Sequence, residues 1–128
     1  MIGMVIVNYN DYKTTKRLLD NVKDYKILKE IVVVDNKSTD NSLEELRKLK
    51  SKKITTIDSG NNKGYSYALN VGCKYLIDKY KSLNIVISNS DIVIESELDI
   101  KDFEKNKYET NNASVKSFSS AYPKSILK

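Results

Sequence analysis

The chain contains no histidine and one cysteine, Cys73. Without histidine there can be no Ser-His-Asp triad, no Cys-His pair and no histidine-based zinc site. Chemistry, if the chain performs any, falls to carboxylates, hydroxyls, lysines, backbone amides and a bound hard cation. A single cysteine cannot close an internal disulfide, which fits a reducing cytoplasm. No apolar run approaches the length that spans a bilayer. The first residues, MIGMVIVNYN, lack the basic flank and cleavage site of a secretory signal and read instead as a strand. Arginine is scarce as well, with only Arg17 and Arg47 among the cations. The formal charge of +5 therefore rests on lysines spread over helix faces and loops. That pattern reads as a solvated surface rather than a nucleic-acid patch, though it is compatible with anionic substrates or peripheral association with a membrane.

What is present fits one soluble domain. The 128 residues are 40% hydrophobic and 30% charged, enough for a single core but small for a complete multi-substrate enzyme. MVIVNY predicts a first strand. Leu18, Leu19 and Val22 then fall at helical core spacing, with Asp11 as the candidate cap. EIVVVDN is apolar without alternation, as expected of a parallel strand covered on both faces. NSLEELRKL opens with Asn41 three residues before Glu44, a capping-box spacing, and carries Leu43, Leu46 and Leu49 on its apolar side. KITTID is a weaker third strand. From Tyr65 to about Tyr80, a stripe of Leu69, Gly72, Cys73, Leu76, Ile77 and Tyr80 predicts a longer helix, with Cys73 a core residue rather than a nucleophile. NIVIS is a fourth strand. Residues 1–94 form the expected α/β core and 95–128 a less defined extension. In that extension ELDIKDFEKN reads as a short helix, KNKYETNN as a polar connection and ASVKSF as a strand.

Strands alternating with helices predict a mostly parallel, Rossmann-like sheet with right-handed crossovers and helices on both faces. Ligands bind such sheets beyond the carboxyl ends of the strands. The polar groups there are Asn8-Tyr9-Asn10, Asp35-Asn36, Asp58 and Asn89-Ser90-Asp91, and they should converge on one edge. Familiar nucleotide signatures are missing: Gly60 and Gly64 are followed by Tyr65 rather than Lys-Ser/Thr, and no GxGxxG follows the first strand. A receiver-type phosphoacceptor domain would need an acidic cluster where Asn8-Tyr9-Asn10 stands.

One stretch departs from these strand patterns. NIVISNSDIVI interrupts two β-branched runs with Asn89-Ser90-Asp91. An ionised carboxylate there needs a cation, a donor cluster or open solvent to offset its desolvation. Taken in order, VIVNYN, VVVDNKSTDNS, GNNKGYSYALNVG and ISNSDIVI resemble the nucleotide-sugar half of a family 2 glycosyltransferase with the GT-A fold, over residues 1–94.

The resemblance implies metal-assisted, inverting transfer of a sugar from a nucleoside diphosphate, UDP- or dTDP-linked, to a glycan or lipid-linked acceptor. It implies work in the cytoplasm, at the inner face of the membrane, in cell-envelope polysaccharide synthesis. Asp91, the last residue of a D-x-D-like motif, would hold Mn²⁺ or Mg²⁺, ions that prefer hard oxygen ligands. Asn89 departs from the acidic form and could bond the ribose or a phosphate. Asp35 would accept the imide N–H of the base, with capping of the following loop as the structural alternative. Tyr9 offers a stacking face, with burial in the core as the alternative, and Asn10 belongs to the same strand end. Asn61, Asn62, Lys63 and Gly64 precede a helix amino terminus, a natural anion site, and Asn70 lies further along that helix. The general base is not identified, because Glu95, Glu97, Asp99 and Asp102 follow Asp91 too closely. A catalytically incomplete donor-binding module is the competing reading.

Overall fold

The computed structural model describes residues 1–104, 109–110 and 113–117. Four parallel strands build the centre: β1 (Ile2–Asn8), β2 (Leu28–Asp35), β3 (Ile54–Asp58) and β4 (Leu83–Ser88). The helices between them are α1 (Tyr12–Val22), α2 (Ser42–Arg47) and α3 (Tyr65–Lys79). Beyond β4 come α4 (Glu97–Glu104), β5 (Glu109–Thr110) and β6 (Ala113–Ser117). The sheet order is β3-β2-β1-β4-β6-β5, with β6 parallel to β4 and β5 antiparallel to β6. This is the mostly parallel α/β sheet that the strand patterns predict.

Coverage on both faces explains the unbroken apolar strands. Ile2, Met4, Ile6, Ile31 and Val33 pack on one face with Leu18, Leu19 and Val22 of α1, Leu46 of α2, and Ile94 and Ile100. Val5, Val7, Val32, Val34, Ile85 and Ile87 meet Ala68, Leu69 and Leu76 of α3 on the other. Gly72 lets α3 approach closely, since a Cβ there would lie 2.6 Å from Val5 Cγ1 and 3.0 Å from Val34 Cγ2. Cys73 packs against this second cluster, and burial pushes its thiol up to about 12, leaving little thiolate at neutral pH.

Some details differ from expectation. Asn41 stands at the start of α2 but makes no capping bond, because its φ of −88° and ψ of 14° lie outside the extended region from which a cap side chain reaches the first turn. Asp40 takes that part, accepting the Ser42 N–H at 2.8 Å. Leu49 lies past the end of α2, yet still packs on the core. Ile77, placed on the buried stripe by its spacing, is 39% exposed near the end of α3. Part of the expected polar connection forms β5, while residues 105–108 and 111–112 fall outside the described residues.

The sheet separates charge between its two edges. The returns from α1 to β2, α2 to β3 and α3 to β4 carry Lys23, Lys26, Lys48, Lys50, Lys52, Lys53 and Lys81, with Asp24 their sole acid. Asp11, Asp35, Asp40, Asp58 and Asp91 lie at the opposite edge, accompanied by Lys37 and Lys63. Toward the lysine-rich edge sits a buried carboxylate, Glu30, 1% exposed. Lys79 Nζ donates to it at 2.8 Å, Tyr80 Oη at 2.6 Å and Thr55 Oγ1 at 2.7 Å. Burial pushes its pKa up, but the Lys79, Tyr80 and Thr55 donors more than offset this and hold it below the usual carboxylate value.

Candidate functional site

The carboxyl edge of the sheet holds an open cleft of about 390 Å³, lined by Val7, Tyr9, Asp11, Asn36, Tyr65, Asn89, Ser90 and Asp91. Parallel pairing brings these together: Asn8 lies in register with Asp35, and Asp35 with Asp58. The connections leaving β1, β2 and β4 therefore emerge at one level, as the strand-end pattern predicts. Tyr9 is 47% exposed, so its ring stands at the cleft rather than in the core. Tyr65, the first residue of α3, closes the far side and lies 3.5 Å from Asn89 Oδ1 through its hydroxyl.

Asp35 is placed differently. Its carboxylate is 1% exposed, absent from the cleft lining, and already engaged. Oδ1 accepts from Asn8 Nδ2 at 3.0 Å and Ser38 Oγ at 2.7 Å, and Oδ2 accepts from the Ser38 N–H at 2.9 Å. Asn10 is likewise occupied. Its backbone has φ of 51°, its Oδ1 accepts the Thr39 and Asp40 N–H groups at 2.8 and 3.2 Å, and its Nδ2 donates to Thr39 Oγ1 at 3.0 Å. Asparagine tolerates this left-handed conformation better than most residues. The geometry makes Asn10 a clasp between the loops after β1 and β2.

The residue next to Asp35 has the opposite character. Asn36 is 6% exposed, lines the cleft, and leaves its Oδ1 buried without a hydrogen-bond partner. Its backbone N–H is held by the Asn8 carbonyl at 2.9 Å. Buried polar atoms are nearly always paired, so an open one in a cleft marks where a ligand or water belongs. Sequence spacing named Asn36 only as part of a strand end. Its single available signal was position, one residue beyond a buried parallel strand.

None of Asn61, Asn62, Lys63 and Gly64, in the loop before α3, lines the cleft. Gly64, with φ of 104°, occupies the cap position of α3 and no side chain caps that end. Asn62 and Lys63 are exposed, and Lys63 Nζ lies 5.4 Å from the centre of the Tyr67 ring. Asn61 accepts from Ser59 Oγ through its backbone carbonyl at 2.7 Å, and its side-chain Oδ1 is buried without a partner. Asn70 is exposed on α3 and does not line the cleft.

The donor set suits a hard cation. Asp91 is exposed, and with Asp11, Asn36, Asn89 and Ser90 it offers only oxygen ligands of the kind Mg²⁺ and Mn²⁺ prefer. Among the described residues, however, no three acidic, cysteine or histidine side chains cluster to make a closed metal cage. A cation here would take its remaining ligands from a bound diphosphate and water.

Comparison with known proteins agrees with the fold. The family model described as Glycosyl transferase family 2 matches residues 4–118. A curated relative, described as low-salt glycan biosynthesis hexosyltransferase Agl10 of Haloferax volcanii, is 35% identical over 97 residues. The match covers 75% of this chain and 29% of the relative, so the chain spans less than a third of that protein's length.

Proposed function

The chain belongs to glycosyl transferase family 2, and from that premise we propose that its cleft binds a UDP- or dTDP-linked sugar for transfer to a glycan or lipid-linked acceptor hydroxyl, with inversion. The observation that carries this reading is the junction of Asn36, Tyr9 and Asp91 on one cleft wall system. Tyr9 stacks on the base, and Asn36 pairs with its imide edge, since an amide both donates and accepts. Asp35 supports the loop that presents Asn36, and Asn10 fixes that loop from β1. Asn89 and the loop of Asn61, Asn62, Lys63 and Gly64 face the ribose and phosphates. Asn70 does not line the cleft and takes no part in this donor set.

Asp91 holds Mn²⁺ or Mg²⁺ in this reading. Such an ion, when bound, neutralises charge on the departing diphosphate, an effect worth several kcal/mol. The reaction is assigned to the cytoplasm, at the inner face of the membrane when the acceptor is a lipid, in cell-envelope polysaccharide synthesis. None of the described helices is long and apolar enough to cross a membrane.

A second reading, a donor-binding module without full catalysis, is favoured by the acids after Asp91. Glu97 Oε1 accepts the Ile27 N–H at 2.6 Å and Asp99 Oδ2 the Ser96 N–H at 3.3 Å, so both are engaged within the chain rather than turned to an acceptor. A general base must reach the acceptor proton, and none of the cleft carboxylates is assigned that part.

Calorimetric titration with UDP and dTDP, with and without Mn²⁺, tests donor binding. The expected result is tighter binding with metal, an increment that Asp91→Asn removes while leaving thermal stability unchanged. Equal metal responses from both proteins would remove Asp91 from the site. Acceptor-dependent turnover with labelled UDP- and dTDP-sugars decides between transferase and binding module.

A further inference from the structure

Asp91 stands in a stretch without regular structure, residues 89–96, between the end of β4 and the start of α4. No ladder holds it there. The segment is tied down three residues later, at Ile94, by a side chain that is 73 positions away in sequence. Asn21 Nδ2 donates to the Ile94 carbonyl at 2.9 Å, and Asn21 Oδ1 accepts the Ile94 N–H at 2.8 Å. One amide thus grips both polar groups of one residue, as a neighbouring strand would. Tyr25 Oη donates to the same carbonyl at 2.9 Å. Below this clasp the Ile94 side chain is 3% exposed, in the core that includes Leu18, Leu19 and Val22 of α1. At the segment's end Glu97 receives the Ile27 N–H.

These bonds have a shared direction. All run from α1, or from the return after it, to the segment that follows Asp91. The Asp91 carboxylate itself makes no hydrogen bond or ion pair within the described protein. Its position is therefore set by its two flanks: β4 on one side and the Ile94 clasp on the other. A ligand atom displaced by about 1 Å from its working position loses much of its value to a bound cation or diphosphate.

We propose that Asn21, with Tyr25, is a positioning residue that holds the Asp91 segment in the conformation that binds the metal–diphosphate. The inference rests on the donor reading above and adds a residue on the outer helix to it. Neither Asn21 nor Tyr25 lines the cleft, so any effect on binding must travel through Ile94.

The experiment uses the whole chain and three variants, Asn21→Ala, Asn21→Asp and Tyr25→Phe. Affinity for UDP is measured with and without Mn²⁺, alongside amide hydrogen exchange of residues 92–95 without either ligand. Asn21→Ala should speed exchange at Ile94 and cut the metal-dependent gain in UDP affinity by about tenfold, with metal-free affinity kept within about twofold. Asn21→Asp keeps the bond to the Ile94 N–H but sets a carboxylate oxygen against the carbonyl, and should fall between. Tyr25→Phe removes a single hydroxyl from the same carbonyl and should cost about threefold of the gain, so it decides the matter if Asn21→Ala fails to fold. Faster exchange with a full metal gain would overturn the proposal and leave the clasp a stability feature alone. If the unaltered chain shows no metal gain, the donor reading itself has failed, and the role given to Asn21 fails with it.

Discussion

Asn8 and Asp35 end neighbouring strands at the same level, and the Asn8 side-chain amide donates to the Asp35 carboxylate at 3.0 Å with each residue 1% exposed. Thr15 fixes the polarity of the pair by donating to Asn8 Oδ1 at 2.7 Å. Asn8 must then present its NH₂ to Asp35, and Asp35 must answer with an acceptor.

Asp35→Asn should accordingly destabilise the fold. Whichever way the new amide turns, its NH₂ faces the Asn8 donor or the Ser38 N–H, leaving a buried group unpaired. The expected loss is about 1–3 kcal/mol, read from urea unfolding. An unchanged midpoint would mean that the carboxylate does not hold these donors.

Asn36→Ala should behave in the reverse manner. Its Oδ1 makes no hydrogen bond in the structure, so stability should change by no more than about 1 kcal/mol. UDP affinity should fall by roughly tenfold, about 1.4 kcal/mol, while pyrophosphate binding stays the same. Equal loss for both ligands would move Asn36 away from the base.

Gly72→Ala tests the approach of α3 to the sheet. The added methyl would meet Val5 and Val34 at 2.6 and 3.0 Å, so the helix or the valines must shift. A loss of about 1–3 kcal/mol is expected on chemical denaturation. A neutral result would show that α3 has room to move outward.

Glu30 predicts a pH dependence. Its folded pKa lies below the ordinary glutamate value, so its contribution is present above that value and fades as pH falls through the folded one. Lys79, raised above 10.5 chiefly by its bond to Glu30, contributes below that pH and loses its contribution as pH climbs past its folded value. Glu30→Ala should cost about 1–3 kcal/mol near pH 7, because the Tyr80 and Thr55 hydroxyls lose their acceptor while the half-exposed Lys79 returns to solvent. The gap between the two proteins should narrow in acid, and a gap that stays constant from pH 7 to pH 3 would rule out this account.

Much of this architecture was legible because strands and helices announce themselves through period. VVVD and IVIS are runs that only a doubly covered parallel sheet accommodates, and the Leu18, Leu19, Val22 spacing fixes the inner face of α1. Register then follows, and with it the gathering of strand-end polar groups at one edge. What period cannot reveal is how a side chain spends its hydrogen bonds. Asp35 and Asn36 are neighbours in sequence, yet one is consumed by Asn8 and Ser38 while the other is left open to the cleft. Asn10 looks like a ligand group and serves as a clasp because its positive φ turns it toward the next loop. Asn21 was invisible for a related reason: its partner is a backbone 73 residues away.

The division of charge between the two sheet edges has an effect beyond the cleft itself. Lysines crowd the returns at one pole, and carboxylates outnumber the cations Lys37 and Lys63 at the other. Close to the cleft the local field of these carboxylates therefore opposes a free nucleoside diphosphate, while the net charge of +5 attracts it from a distance. Complexed with a divalent cation, the same nucleotide carries less negative charge and is less repelled on the final approach. Metal and nucleotide should therefore arrive together, and added salt, which screens the net attraction, should slow capture of the metal-free form.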